Sequence, residues 1–162
     1  MAPKKFLFIC THNRCRSILS EAITNHLANG KIIAYSAGSQ PAGQVHPLSI
    51  KYLNVRGVPT DGLKSQSWDD FESIEPDVVI TVCDSAANEQ CPVWFGSCVK
   101  VHWGLPDPSK MKGSEEEIKS AFFKVMDTIE ARMRKVLELN LNNMSDSELQ
   151  TRLNEIAEEN NP

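Results

Sequence analysis

Cys10 and Arg16 stand six positions apart, with Ser17 directly after the arginine, in the stretch Cys10-Thr11-His12-Asn13-Arg14-Cys15-Arg16-Ser17. A thiol and a guanidinium joined by a short polar loop suit nucleophilic attack on a small tetrahedral oxyanion. Backbone N–H groups of such a loop can converge on the anion, and a helix opening at its end adds the positive end of its dipole. Arg16 can grip two oxygens with its planar fork, which a lysine cannot do. The same field is expected to lower the pKa of Cys10, giving a thiolate that attacks the central atom. Ser17 is placed to donate a hydrogen bond to that sulfur. The candidate oxyanion loop is therefore Thr11, His12, Asn13, Arg14, Cys15 and Arg16, with His12 either lining the site or bonding locally.

The chemistry needs a strand before the loop and a helix after it. Lys5 to Cys10 is a short unbroken apolar run, as in a strand covered on both faces. Ile18, Leu19, Ala22, Ile23 and Leu27 then recur at helical spacing, and Asn29-Gly30 ends the helix. Further buried-strand runs lie at Ile32–Tyr35, Asp77–Cys83 and Lys100–Trp103. A second helix is predicted from Pro47 to about Arg56-Gly57. Ser114-Glu115-Glu116-Glu117 is a capping box, followed by a helical stripe of Ile118, Ala121, Phe122, Val125, Ile129, Met133 and Val136. Ser145-Asp146-Ser147-Glu148 is a second box, opening a polar last helix with Leu149, Leu153 and Ile156 as its few anchors. Strands alternating with helices imply an α/β fold: a parallel sheet between helical layers, with the active site beyond the carboxyl ends of the strands. Cys10, Cys83 and Asp107 fall at or just past three of those ends.

Composition narrows the function. The 162-residue chain carries a net charge of −4, against a phosphate-backbone binder, so no nucleic-acid partner is expected. No apolar run is long enough to span a bilayer, and the five apolar residues after Lys5 are too few for a signal peptide. The expected setting is the cytoplasm, with no membrane association. The five cysteines, at 10, 15, 83, 91 and 98, are odd in number and never C-x-x-C apart, which fits neither a secreted disulfide framework nor a structural zinc site. His12, His26, His46 and His102 are likewise too scattered for a metal cluster, so no metal is expected. Cys98, and in part Cys15, read as small buried hydrophobes. Trp68, Trp94 and Trp103 read as core or interface anchors.

The loop Cys10-Thr11-His12-Asn13-Arg14-Cys15-Arg16-Ser17 resembles the C-T-x-N-x-C-R-S signature of the low-molecular-weight protein tyrosine phosphatases and the arsenate reductases that share their fold. The likeness runs from about Lys5 to about Leu139 and includes Tyr35-Ser36-Ala37-Gly38, the Cys83 segment and His102-Trp103-Gly104 through Asp107-Pro108. It implies a three-layer domain over residues 1–140, with a four-stranded sheet in the flavodoxin-like order 2-1-3-4, and a helical extension over 141–162 that packs loosely or serves oligomerisation. It also implies that Asn13 orders the loop and that Asp107 protonates the departing oxygen as general acid.

Within that resemblance, Cys83-Asp84-Ser85-Ala86-Ala87-Asn88-Glu89-Gln90-Cys91-Pro92 is similar to the redox segment of thioredoxin-coupled arsenate reductases. The implied sequence is attack of Cys10 on arsenate, attack of Cys83 on Cys10 with release of arsenite, and attack of Cys91 on Cys83, which carries the disulfide out to a reductant. Ser85 to Asn88 is small and polar enough to flex for that transfer. Seven residues separate Cys83 from Cys91, one more than in the members it resembles, so Cys98 remains a rival resolving thiol. The implied reductant is an external dithiol, thioredoxin or glutathione with glutaredoxin, with no bound cofactor, and phosphate or sulfate would compete with arsenate. The alternative is a phosphatase acting on phosphotyrosine or a small phosphate ester. Against it, Ser109-Lys110 follows Asp107-Pro108 where the phosphatases carry an aromatic residue, and Ile18 follows Ser17 where they carry proline. In some relatives a potassium ion is held by residues matching Asn13, Glu21 and Ser36. Here Lys64-Ser65-Gln66 replaces the rest of that site, and the Lys64 ammonium either takes the place of the ion and pairs with Glu21 or is a solvated surface residue.

Overall fold

The computed structural model describes residues 3–87 and 98–159. The apolar runs form four parallel strands, β1 (Lys4–Ile9), β2 (Ile32–Ala37), β3 (Val78–Thr81) and β4 (Val99–His102), in the order β2-β1-β3-β4. This is the expected sheet and order. Phe6, Leu7, Phe8 and Ile9 of the central strand are all buried, which explains why that strand is apolar without alternation. The register aligns Ile9 with Ala37 and Thr81, and Thr81 with His102. All four strands therefore end on one row, and the loops that follow them emerge together.

Helices α1 (Arg16–Ala28), α2 (Pro47–Val55), α3 (Asp84–Ala87), α4 (Glu115–Leu137) and α5 (Asp146–Glu159) flank the sheet. Their ends follow local rules. Asn29 closes α1 in the left-handed conformation, and Pro47 occupies the first turn of α2 behind His46, whose ring accepts from the Leu48 N–H. Both capping boxes form: Ser114 with Glu117, and Ser145 with Glu148. Trp68–Ile74 is a 3-10 segment that the spacing of apolar residues does not reveal.

The exposed edges of the sheet are closed by side-chain amides. Asn25 of α1 donates to the Ala34 carbonyl and accepts from its N–H on β2. Gln150 of α5 does the same for Lys100 on β4. Each amide copies the donor–acceptor pair of a missing strand and blunts an edge that would otherwise template pairing.

The last helix is not a loose appendage. Leu149, Leu153 and Ile156 are buried in the same core as the sheet, and the Trp103 indole N–H donates to the Leu153 carbonyl at 2.9 Å. The expectation of loose packing overlooked that three apolar anchors at helical spacing are enough to seat a polar helix on an edge strand. No helix among the described residues is long and apolar enough to cross a membrane.

Candidate active site

Residues 10–15 connect β1 to α1 and wrap around a cavity of about 220 Å3, lined by Cys10, Thr11, His12, Arg14, Cys15 and Arg16 of the loop and by Cys83, Asp107, Ser109 and Lys110. The loop's carbonyls are bonded outward. Thr11 O accepts from the Gln40 N–H, His12 O from the Ala42 N–H and the Ser65 hydroxyl, and Arg14 O from the His46 N–H. With the carbonyls tied back, the loop presents its N–H side to the cavity, as an anion site requires.

Asn13 is the structural pivot of that loop. It is fully buried with φ +46°, a left-handed conformation that asparagine tolerates better than most residues. Its side-chain amide donates to Ser17 Oγ at 2.8 Å and accepts from the Gln66 N–H at 2.8 Å. Gly38, past the end of β2, closes against the loop from outside. A Cβ there would lie 2.4 Å from Thr11 O and 2.5 Å from Cys10 O, so only glycine allows the approach.

The two sulfurs expected to react are neighbours. Cys83 lies two residues beyond β3, and Val82 N–H donates to Ile9 O, tying the two strand ends together. Cys10 and Cys83 line the same cavity, close enough that each thiol shifts the titration of the other. Contact with Cys83 and burial push the Cys10 thiol up, against the lowering effect of the Ser17 hydroxyl and N–H. The Cys10 thiol in turn pulls Cys83 down, helped against burial by the N–H groups of Ala86 and Thr11 and by the Thr11 hydroxyl. The Thr11 oxygen lies 3.8 Å, and the Ala86 nitrogen 3.4 Å, from the Cys83 sulfur. In the ligand-free site the two thiols therefore shift in opposite directions, Cys10 up and Cys83 down, each chiefly through the other. The segment after Cys83, read as flexible from its small residues, opens with the helical turn α3, whose Ala86 amide is one of those donors.

Arg16 and Asp107 form the opposite wall. Arg16 Nη1 donates to Leu105 O at 3.0 Å and Nη2 reaches Asp107 Oδ2 at 3.5 Å. The other carboxylate oxygen accepts from the Ser109 N–H at 3.0 Å and its hydroxyl at 2.6 Å. Leu105 N–H donates to Val82 O, so the acid loop is laced to the Cys83 segment as well. Ser109 and Lys110, noted in the sequence only as the absence of an aromatic residue, both line the cavity.

Cys15 lines the cavity and is also buried, its thiol pushed up to about 11 chiefly by that burial, against a hydrogen bond from Ser49. His12 is exposed at the rim, its Nδ1 3.1 Å from Gln40 O.

Two expectations are overturned. Lys64 does not pair with Glu21: its side chain is exposed, and among the described residues no ion pair joins the two. Glu21 instead accepts from the Ser36 hydroxyl at 2.5 Å, and burial pushes its carboxyl up to about 7, so proton uptake does the neutralising that the ammonium was expected to do. Cys98 is the second correction. It precedes β4, at the opposite end of the strands from the site, and its thiol donates to Pro76 O at 3.1 Å. A four-residue strand separates it from the row of strand ends by about 13 Å, beyond the roughly 7 Å that a disulfide bridges between Cα atoms. Cys91 and Trp94 lie outside the described residues. Among those described, no group of three or more His, Cys, Asp and Glu side chains could hold a metal ion.

A profile of the low molecular weight phosphotyrosine protein phosphatases matches residues 5–150. The chain belongs to the low-molecular-weight phosphotyrosine protein phosphatase family. Within this family it is similar to the arsenate reductase of Shouchella clausii, 34% identical over 142 residues that cover 85% of this chain and 98% of the relative. In three dimensions it is similar to an arsenate reductase in its phosphate-binding state, with a TM-score of 0.68 and 28% identity over 83% of this chain and 97% of the other. It is also similar to the thioredoxin-dependent arsenate reductase of Corynebacterium glutamicum, with a TM-score of 0.64 and 27% identity over 84% of this chain and 61% of that longer one.

Proposed function

We propose that this chain reduces arsenate to arsenite, using Cys10 as nucleophile and Cys83 as the thiol that completes the reduction. The observation that carries the reading is that those two thiols line one cavity and shift each other's titration. Hydrolysis of a phosphate ester needs one thiol; a two-electron reduction needs two, within bonding reach of each other.

Arsenate enters the loop between the N–H groups and Arg16. The Cys10 proton passes to an arsenate oxygen as the sulfur attacks, an S–As bond forms, and one oxygen leaves as water with a proton delivered through Asp107. The Cys83 thiolate then attacks the Cys10 sulfur. The S–S bond forms, the S–As bond breaks, and its electron pair stays on arsenic, which leaves as arsenite. The thiol whose pKa is drawn down, Cys83, is the one assigned to act second. Cys91 is assigned the transfer of the disulfide outward by its place in the sequence, and thioredoxin is the reductant supported by the kinship with a thioredoxin-dependent enzyme. Phosphate and sulfate, sharing the tetrahedral shape, are expected to compete.

The test is arsenate-dependent thiol consumption with thioredoxin, and separately with glutathione and glutaredoxin, run beside hydrolysis of an aryl phosphate. Arsenate turnover with thioredoxin should exceed ester hydrolysis by orders of magnitude. Ester hydrolysis without arsenate turnover by either reductant would make the chain a phosphatase.

A further inference from the structure

Arg132 is a charge where the sequence period asks for an apolar residue. It falls on the buried face of α4 between Ile129 and Val136, with 2% of its surface exposed. Burial pushes its guanidinium down to about 10, which leaves it charged at neutral pH. Desolvating a guanidinium is costly, and a methionine would fill a core position without that penalty. What a methionine lacks is a rigid fork of donors.

That fork is aimed at the start of the acid loop. Arg132 Nη1 donates to the Trp103 carbonyl at 3.2 Å and Nη2 reaches the Gly104 carbonyl at 3.5 Å, with the guanidinium 5.7 Å from the Trp103 ring centroid. The next residue, Leu105, donates to Val82 O at 3.1 Å and accepts from Arg16 Nη1 at 3.0 Å, and Asp107 follows two residues later. The loop is therefore gripped by two arginines, one from the core helix and one from the oxyanion loop.

We propose that Arg132 is a positioning residue for catalysis: by holding the carbonyls of Trp103 and Gly104 it sets the path of residues 103–107, and with it the seat of Arg16 and the reach of Asp107. The proposal rests on the reading of Asp107 as general acid. Arg132 itself touches neither substrate nor reacting atom, and its effect is transmitted by the loop.

The test uses the full chain and a series of aryl phosphates with leaving groups of increasing pKa, with Asp107→Asn as reference. A general acid matters most for the poorest leaving group. Asp107→Asn should therefore slow that substrate far more than the most activated one. Arg132→Met should show the same selectivity, with roughly tenfold or greater loss of kcat on the poorest leaving group and little on the best, and the double variant should be no slower than Asp107→Asn alone. For arsenate reduction, Arg132→Met should lower kcat with KM held within about threefold. Arg132→Lys, which keeps the charge but lacks the rigid planar fork, should show the same selectivity at smaller size, and carries the test if the methionine variant fails to fold. A loss uniform across leaving groups, a loss that multiplies with that of Asp107→Asn, an effect on KM alone, or wild-type behaviour in both variants would overturn the proposal. Absence of leaving-group selectivity in Asp107→Asn itself would instead remove the general acid on which it stands.

Discussion

The thiols of Cys10 and Cys83 face one cavity from the ends of two adjacent parallel strands, and each shifts the titration of the other. Neither sulfur therefore titrates alone. Because Cys83 is the largest influence raising the Cys10 pKa, Cys83→Ser should lower it, and thiolate absorbance followed against pH should show Cys10 ionising at lower pH than in the parent. The same variant should lose arsenate turnover and keep ester hydrolysis. Loss of both activities in a folded protein would contradict the division of labour between the two thiols.

Gly38 predicts how narrowly the oxyanion loop is built. A methyl group there would meet the carbonyl oxygens of Cys10 and Thr11, which are backbone atoms with little freedom to move. Gly38→Ala should displace the loop and reduce kcat/KM for arsenate on the order of 10- to 100-fold, with weaker inhibition by phosphate. Denaturant unfolding should show a stability loss of about 1–3 kcal/mol from the forced overlap. An unchanged phosphate affinity would mean that the loop tolerates the shift.

Glu21 makes the fold sensitive to pH. Burial raises its pKa in the folded chain to about 7, with the Ser36 hydroxyl partly opposing. Between the ordinary carboxyl value of 4.5 and about 7 the folded state holds a proton that the unfolded chain has released. Its contribution is therefore complete below that window and is lost as pH rises through it, a change on the order of 3 kcal/mol. Glu21→Gln should flatten the fall in stability between pH 5 and 7 seen by chemical denaturation. A slope equal to the parent's would show that Glu21 does not titrate in this range.

Thr24 offers a gain. It is fully buried in α1, and its hydroxyl has no hydrogen-bond partner among the described residues. Thr24→Val keeps the shape and removes the unpaired group, so it should stabilise the protein by about 1 kcal/mol without changing arsenate turnover. A loss of stability would indicate a partner for that oxygen.

Much of this site was legible because its parts obey local rules. The strand-to-helix loop of Cys10 to Ser17, the apolar runs and the two capping boxes are all contiguous patterns, and each falls where the sequence put it. What was not legible depends on contacts between distant segments. The sequence does not show that Lys64 stays exposed while burial and the Ser36 hydroxyl set the state of Glu21. The pairing of Cys83 with Cys10, 73 positions earlier in the chain, comes from the fold, which brings both to one cavity. Arg132 did leave a trace, since a charge in register with Val125, Ile129 and Val136 breaks the stripe, but only the fold shows which carbonyls it serves. Cys98 lies closer in sequence to Cys83 than Cys10 does, yet β4 holds it at the far, amino end of the strands.

The most direct measurement is a disulfide map of the Cys91→Ser variant, acid-quenched after a single arsenate turnover and read by peptide mass spectrometry. The account predicts one arsenite released per chain and a Cys10–Cys83 disulfide, with Cys98 still a free thiol. Arsenite release with Cys10 and Cys83 both reduced, or a disulfide that includes Cys98, would contradict it.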